Sequence, residues 1–138
     1  MIMKEDVLEK LANISQSTLL PIPQATMDDI VDAQEEMLVS FPAEFRDFLI
    51  SVSHMEVGSI EPVTLSDPEL HTYLPEMASQ AWELGLPRDL LPLCRVEDGF
   101  YVVTLADQVE FWRIEDQDFS GDIWESIWQW ADEVWLES

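Results

Sequence analysis

Between Leu91 and Ile114 the chain strings together three short apolar segments separated by two turn signals, and no other feature limits its fold so tightly. Leu93-Cys94-Arg95-Val96 runs into Glu97-Asp98-Gly99, and Phe100-Tyr101-Val102-Val103-Thr104-Leu105 follows. Ala106-Asp107-Gln108 then turns into Val109-Glu110-Phe111-Trp112-Arg113-Ile114. β-Branched and aromatic residues favour extended backbone, and connections this short join antiparallel neighbours. The stretch is predicted to be a three-stranded meander, which needs helices packed against it to bury its apolar side.

The flanking segments supply those helices. Val7, Leu8, Leu11 and Ile14 recur at helical spacing over residues 4 to 15, and Leu19-Leu20-Pro21-Ile22-Pro23 breaks the pattern. Thr26 followed by Asp29 reads as a capping box, with Ile30, Ala33, Met37 and Leu38 as the apolar face behind it. Pro42 suits the first turn of a third helix, in which Phe45, Phe48, Leu49 and Val52 form one stripe. Val57 to Leu65 reads as a strand, through Val57, Ile60, Val63 and Thr64. Asp67-Pro68-Glu69 starts a helix that Pro75 splits and Gly85 ends. Asp122 caps a last helix with Glu125 at its third position. Its broad apolar face carries Ile123, Trp124, Ile127, Trp128, Ala131, Val134 and Trp135. The expected fold is α+β, one domain over residues 1–138, in the order ααα-β-α-βββ-α. Phe45, Phe48, Leu49, Phe111 and Trp112 should share its core.

Charge narrows the function. There are 29 acidic residues against six basic ones, a net −23, in a chain that is nonetheless 47% hydrophobic. That apolar content is globular, so the charge belongs to the surface of a folded domain rather than to a disordered tail. Such a surface repels nucleic acid and anionic membrane and attracts basic proteins. One cysteine, Cys94, forms no internal disulfide, and the N-terminal residues carry no secretory pattern, so the expected location is cytoplasmic.

The order of motifs resembles the SUKH superfamily of fungal cell-wall-regulator-like and bacterial immunity proteins. Ile30 through Glu35 and Glu36 matches its Ile-to-Glu helix, and Phe41-Pro42-Ala43-Glu44-Phe45-Arg46-Asp47-Phe48-Leu49 its proline-opened aromatic helix. Leu91-Pro92-Leu93, Glu97-Asp98-Gly99, Val109-Glu110-Phe111-Trp112 and Trp124 to Trp135 resemble the family's later steps over residues 27 to 138. The resemblance implies a non-enzymatic binding module, commonly an immunity protein that neutralises a toxin.

Catalytic and metal signatures are weak. His54, His71 and Cys94 lack the close pairing of a structural zinc site. Asp116 to Gly121 echoes a calcium loop, but its twelfth position is Ile127 in place of the bidentate glutamate. A solvated acidic turn is the expectation there. No nucleophile elbow or glycine-rich phosphate cradle is present, and no cofactor is expected. Glu110, Glu115, Asp116 and Asp118, with Arg113 as their one counter-charge, are the candidate partner-binding residues. Trp130, which points away from the last helix's apolar stripe, is their candidate anchor against half-buried packing. Three readings stay open: an immunity-type module for a basic protein such as a nuclease toxin, an acidic DNA mimic or adaptor, and a carboxylate enzyme. The oligomeric state is not legible.

Overall fold

The computed structural model describes residues 4–14, 23–55 and 57–138. Helices α1 (Lys4–Ile14), α2 (Met27–Met37), α3 (Ala43–Ser51) and α4 (Leu74–Glu83) precede strands β1 (Leu91–Val96), β2 (Gly99–Val103), β3 (Val109–Arg113) and β4 (Asp118–Trp124). Helix α5 (Ile127–Trp130) follows and continues as a π-helical turn over Ala131–Trp135. The strands pair in chain order, all antiparallel, so the architecture is α+β as expected. The predicted break at Leu19 to Ile22 lies outside the described residues.

Local chemistry sets the helix ends. The Thr26 hydroxyl accepts from the Asp29 N–H at 3.2 Å, and the Asp29 carboxylate accepts from the Thr26 N–H at 2.9 Å. This reciprocal box satisfies two donors that the first turn leaves unbonded. Ile30, Ala33 and Met37 are buried as expected, but Leu38 is not; it closes α2 in the left-handed conformation, at φ 58°. Pro42 stands one residue ahead of α3, and Phe45, Phe48, Leu49 and Val52 are all fully buried. Pro75 opens α4 instead of splitting it, because a first-turn residue has no intrahelical use for its N–H. Asp67 to Leu70 is a turn, closed by the Leu70 N–H on the Asp67 carbonyl at 3.2 Å. Gly85 ends α4 at φ 117°, with the Leu86 N–H donating to the Ala81 carbonyl at 3.0 Å.

Two segments depart from expectation. Val57 to Leu65 forms no strand; it makes isolated bridges from Pro62 to Cys94 and from Thr64 to Tyr73. Pro62 has no N–H to give to a ladder, and a single bond, the Val63 N–H to the Leu93 carbonyl at 2.8 Å, lays the segment along β1. Conversely, Asp118 to Trp124 is a fourth strand rather than an acidic turn and helix cap. The turn over residues 114–117, with Gln117 at φ 52°, sends the chain back along β3, and Phe119, Ile123 and Trp124 supply its apolar positions. The last helix is capped by Ser126, whose hydroxyl accepts from the Gln129 N–H at 3.0 Å.

Alternation along the strands divides the aromatics. Phe100 and Trp112 are cross-strand neighbours on one face; Tyr101 and Phe111 are neighbours on the other. Phe111 therefore leaves the core predicted for it beside Trp112, and packs half-buried against Tyr101 with ring centroids 5.0 Å apart. Phe48 joins α3 to the C-terminal helix, its ring centroid 5.7 Å from Trp128, 6.4 Å from Trp130 and 5.7 Å from Trp135.

Candidate functional site

The β3–β4 hairpin gathers three of the acids singled out by the sequence. Arg113 pairs with Asp118 across the turn, and Glu115, Asp116 and Asp118 are all exposed at its tip. Arg113 reaches Asp116 at 3.4 Å, an exposed ion pair of little energetic weight. Glu110 is set apart from them: it pairs with Ile123, half-buried, roughly 10 Å back along β3 at strand spacing. Asp122, on β4, and Glu125, just past its end, extend the exposed acidic edge away from the tip.

Trp130 belongs elsewhere. It is fully buried, 5.5 Å from the Tyr101 ring and stacked 6.5 Å from Trp135, so it is no surface anchor. Phe48 and Tyr101 cover it, and the π-helical turn brings Trp135 onto it. The Leu136 N–H bonds to the Ala131 carbonyl, five residues back, at 2.8 Å. The wider turn carries Trp130 and Trp135 to the same side, where α-helical spacing would separate them.

The positive charges are spent inside the molecule. Lys4 pairs with Asp47 at 2.7 Å and Lys10 with Asp132 at 2.8 Å. Arg88 lies 3.9 Å over the Trp82 ring, and Arg95 donates to the Gln80 side chain at 3.2 Å. With Arg113 on Asp116, five of the six basic side chains have partners within the fold.

A second acidic surface lies on α2, and sequence reading passed it over. Asp28, Asp29, Asp32, Glu35 and Glu36 occur in a stretch from Leu11 to Phe45 that contains no lysine or arginine. Beside them Met27, Val31 and Leu38 are exposed, and Val31, Gln34, Glu35, Leu38, Val39 and Ser40 line a shallow depression of about 410 Å³. Leu38, expected on the buried face, lies seven residues beyond exposed Val31, on the same side of the helical repeat.

A deeper cleft of about 540 Å³ opens between α4, β1 and the Ser59 to Glu61 segment. Glu61, Glu76, Glu97, His71 and Arg95 line it, and the His71 ring nitrogen lies 2.8 Å from the Glu61 carboxylate. Its charges are mixed, unlike those of the hairpin and α2. Cys94 is buried, and burial pushes its thiol up to about 12, so it is no nucleophile at neutral pH. His54 is also partly buried, and desolvation lowers its pKa. Among the described residues no group of three or more His, Cys, Asp and Glu side chains is placed to hold a metal ion. Among them, too, no helix is long and apolar enough to cross a membrane.

The family described as SMI1-KNR4 cell-wall matches residues 4–136. A crystal structure of a protein from Pseudomonas syringae pv. tomato superposes with a TM-score of 0.92 at 39% sequence identity, covering 97% of this chain and 99% of that one. No curated protein matches the chain.

Proposed function

The chain belongs to the SMI1-KNR4 cell-wall family of the SUKH superfamily, and on that footing we propose that it is a non-enzymatic binding module that captures a basic protein. The partner class is an immunity target, a toxin such as a nuclease whose substrate groove is positive. One observation carries the reading: the acids greatly outnumber the bases, and the bases are largely engaged within the fold, so the outward field is almost wholly negative. A net charge this large destabilises a compact state by self-repulsion, and it speeds encounter with a basic surface. A nuclease groove built to bind phosphates is such a surface. A cytoplasmic location fits this role, since the protein would meet the toxin where its target lies.

Affinity capture from the native cell at low salt, followed by elution with rising salt, supplies the partner; its association kinetics then test the reading. The association rate should fall steeply with salt while the dissociation rate changes less. A partner whose association ignores salt, or one that is itself acidic, would overturn it.

A further inference from the structure

Met27, Val31 and Leu38 stand along one side of α2 and are 56%, 43% and 83% exposed. Leu38 adds a second oddity. It occupies a left-handed cap at φ 58°, where glycine or asparagine is the low-cost choice, and its side chain contributes no core packing in return. Strain and apolar exposure thus coincide at one residue, and neither serves the stability of the fold. Asp28, Asp32 and Glu35 flank this apolar line, with no basic residue on the helix.

We propose that this side of α2 is where the basic partner docks, with Val31 and Leu38 as apolar anchors and Asp28, Asp32 and Glu35 as the acidic rim. The inference rests on the basic-partner reading and adds the surface to it. The matching surface on the partner has an apolar centre bordered by lysine or arginine. A second copy of this chain does not fit, because it would set the acids of one α2 against those of another. The hairpin tip, charged but poor in exposed apolar side chains, steers the encounter; α2 holds the complex. The depression beside Leu38 gives an apolar side chain of the partner a place to insert.

Two probes separate these elements: an amphipathic helical peptide of leucine and lysine, and a polylysine of equal length. In amide chemical-shift mapping on the full chain, the amphipathic peptide should perturb residues of α2 and bind about tenfold tighter than polylysine, the scale of a modest apolar anchor. Val31→Asp should remove that advantage and leave polylysine binding within about twofold. Leu38→Gly should weaken the amphipathic peptide similarly while raising the melting temperature by about 3–5 °C, because the left-handed strain is relieved. A residue kept for stability would not show that opposition. Shifts confined to the β3–β4 hairpin, with Val31→Asp silent, would overturn docking on α2 and leave the basic-partner reading standing. A concentration-dependent dimer abolished by Val31→Asp would give the face to a second copy and overturn the proposal too. Failure of both probes to bind at low salt would overturn this inference together with the basic-partner reading.

Discussion

The Asp107 carboxylate accepts a hydrogen bond from the Glu44 N–H at 3.4 Å, across 63 residues of chain. The β2–β3 loop thereby caps α3, whose own N-cap, Pro42, makes no side-chain cap bond. The contact also sets two carboxyls near each other. Burial first, then the charges of Asp107 and Asp47, raise the Glu44 pKa.

Glu44 therefore binds its proton more tightly in the folded state than in the unfolded one. Its favourable contribution is complete below the ordinary glutamate range and is lost as pH rises through the raised folded value. At pH 7 Glu44→Gln should melt above the parent protein, and the gap should close as pH falls to about 4. Thermal melts between those limits check this; a lower melting temperature for Glu44→Gln at neutral pH would refute it.

Phe48→Ala should cost about 3–5 kcal/mol, because it empties the junction of α3 with three tryptophans. Denaturant titration measures it. An unchanged midpoint would mean that this junction contributes nothing to stability.

Trp135→Phe should cost more than Trp130→Phe, by about 1 kcal/mol. The Trp135 indole N–H donates to the Val57 carbonyl at 3.1 Å, so its removal orphans a buried acceptor. The Trp130 indole N–H has no partner among the described residues. Equal losses in paired denaturation curves would contradict this ordering.

Cys94 should resist alkylation in the native protein at pH 7 and react once denaturant unfolds it, since the thiol is buried and its pKa pushed up to about 12. Rapid labelling of the native thiol by iodoacetamide would show that the site opens locally.

Replacing Glu110, Glu115, Asp116 and Asp118 together by their amides should slow capture of the basic partner and leave the melting temperature equal or higher. Three of these side chains are exposed at the hairpin tip, where Asp116 holds the weak Arg113 contact and Asp118 accepts from the Phe119 N–H, a bond that an amide oxygen can keep. An association rate indifferent to the quadruple change would remove the hairpin from the encounter.

Where local chemistry decides structure, the sequence was legible. The Thr26–Asp29 box, the Phe45 to Val52 stripe and the three-strand meander all stand where spacing and turn residues put them. It failed where a neighbouring segment decides. β4 alternates too irregularly to be read alone, and exists because β3 offers it an edge. Val57 to Leu65 has strand composition, but Pro62 limits it to single bridges. The surface residues divide in the same way. The hairpin acids stand out as a charge run, whereas the burial of Trp130 comes from Phe48 and Tyr101, far off in the chain, which helical periodicity cannot foresee. Leu38 follows the exposed Met27 and Val31 side of the repeat rather than the side of Ile30, Ala33 and Met37, so apolar character alone misleads there.

Because β1 to β4 pair in chain order, each strand needs only a short loop to close before it finds its neighbour. The contact of Phe48 with Trp135 must instead bring together one residue that precedes the whole sheet in the chain and one that follows it. Topology thus orders the folding reaction: hairpins from local contacts first, the aromatic junction once the sheet exists to bridge the gap. Substitutions in the β2–β3 hairpin should then act mainly on the folding rate, and substitutions at Phe48 mainly on the rate of unfolding.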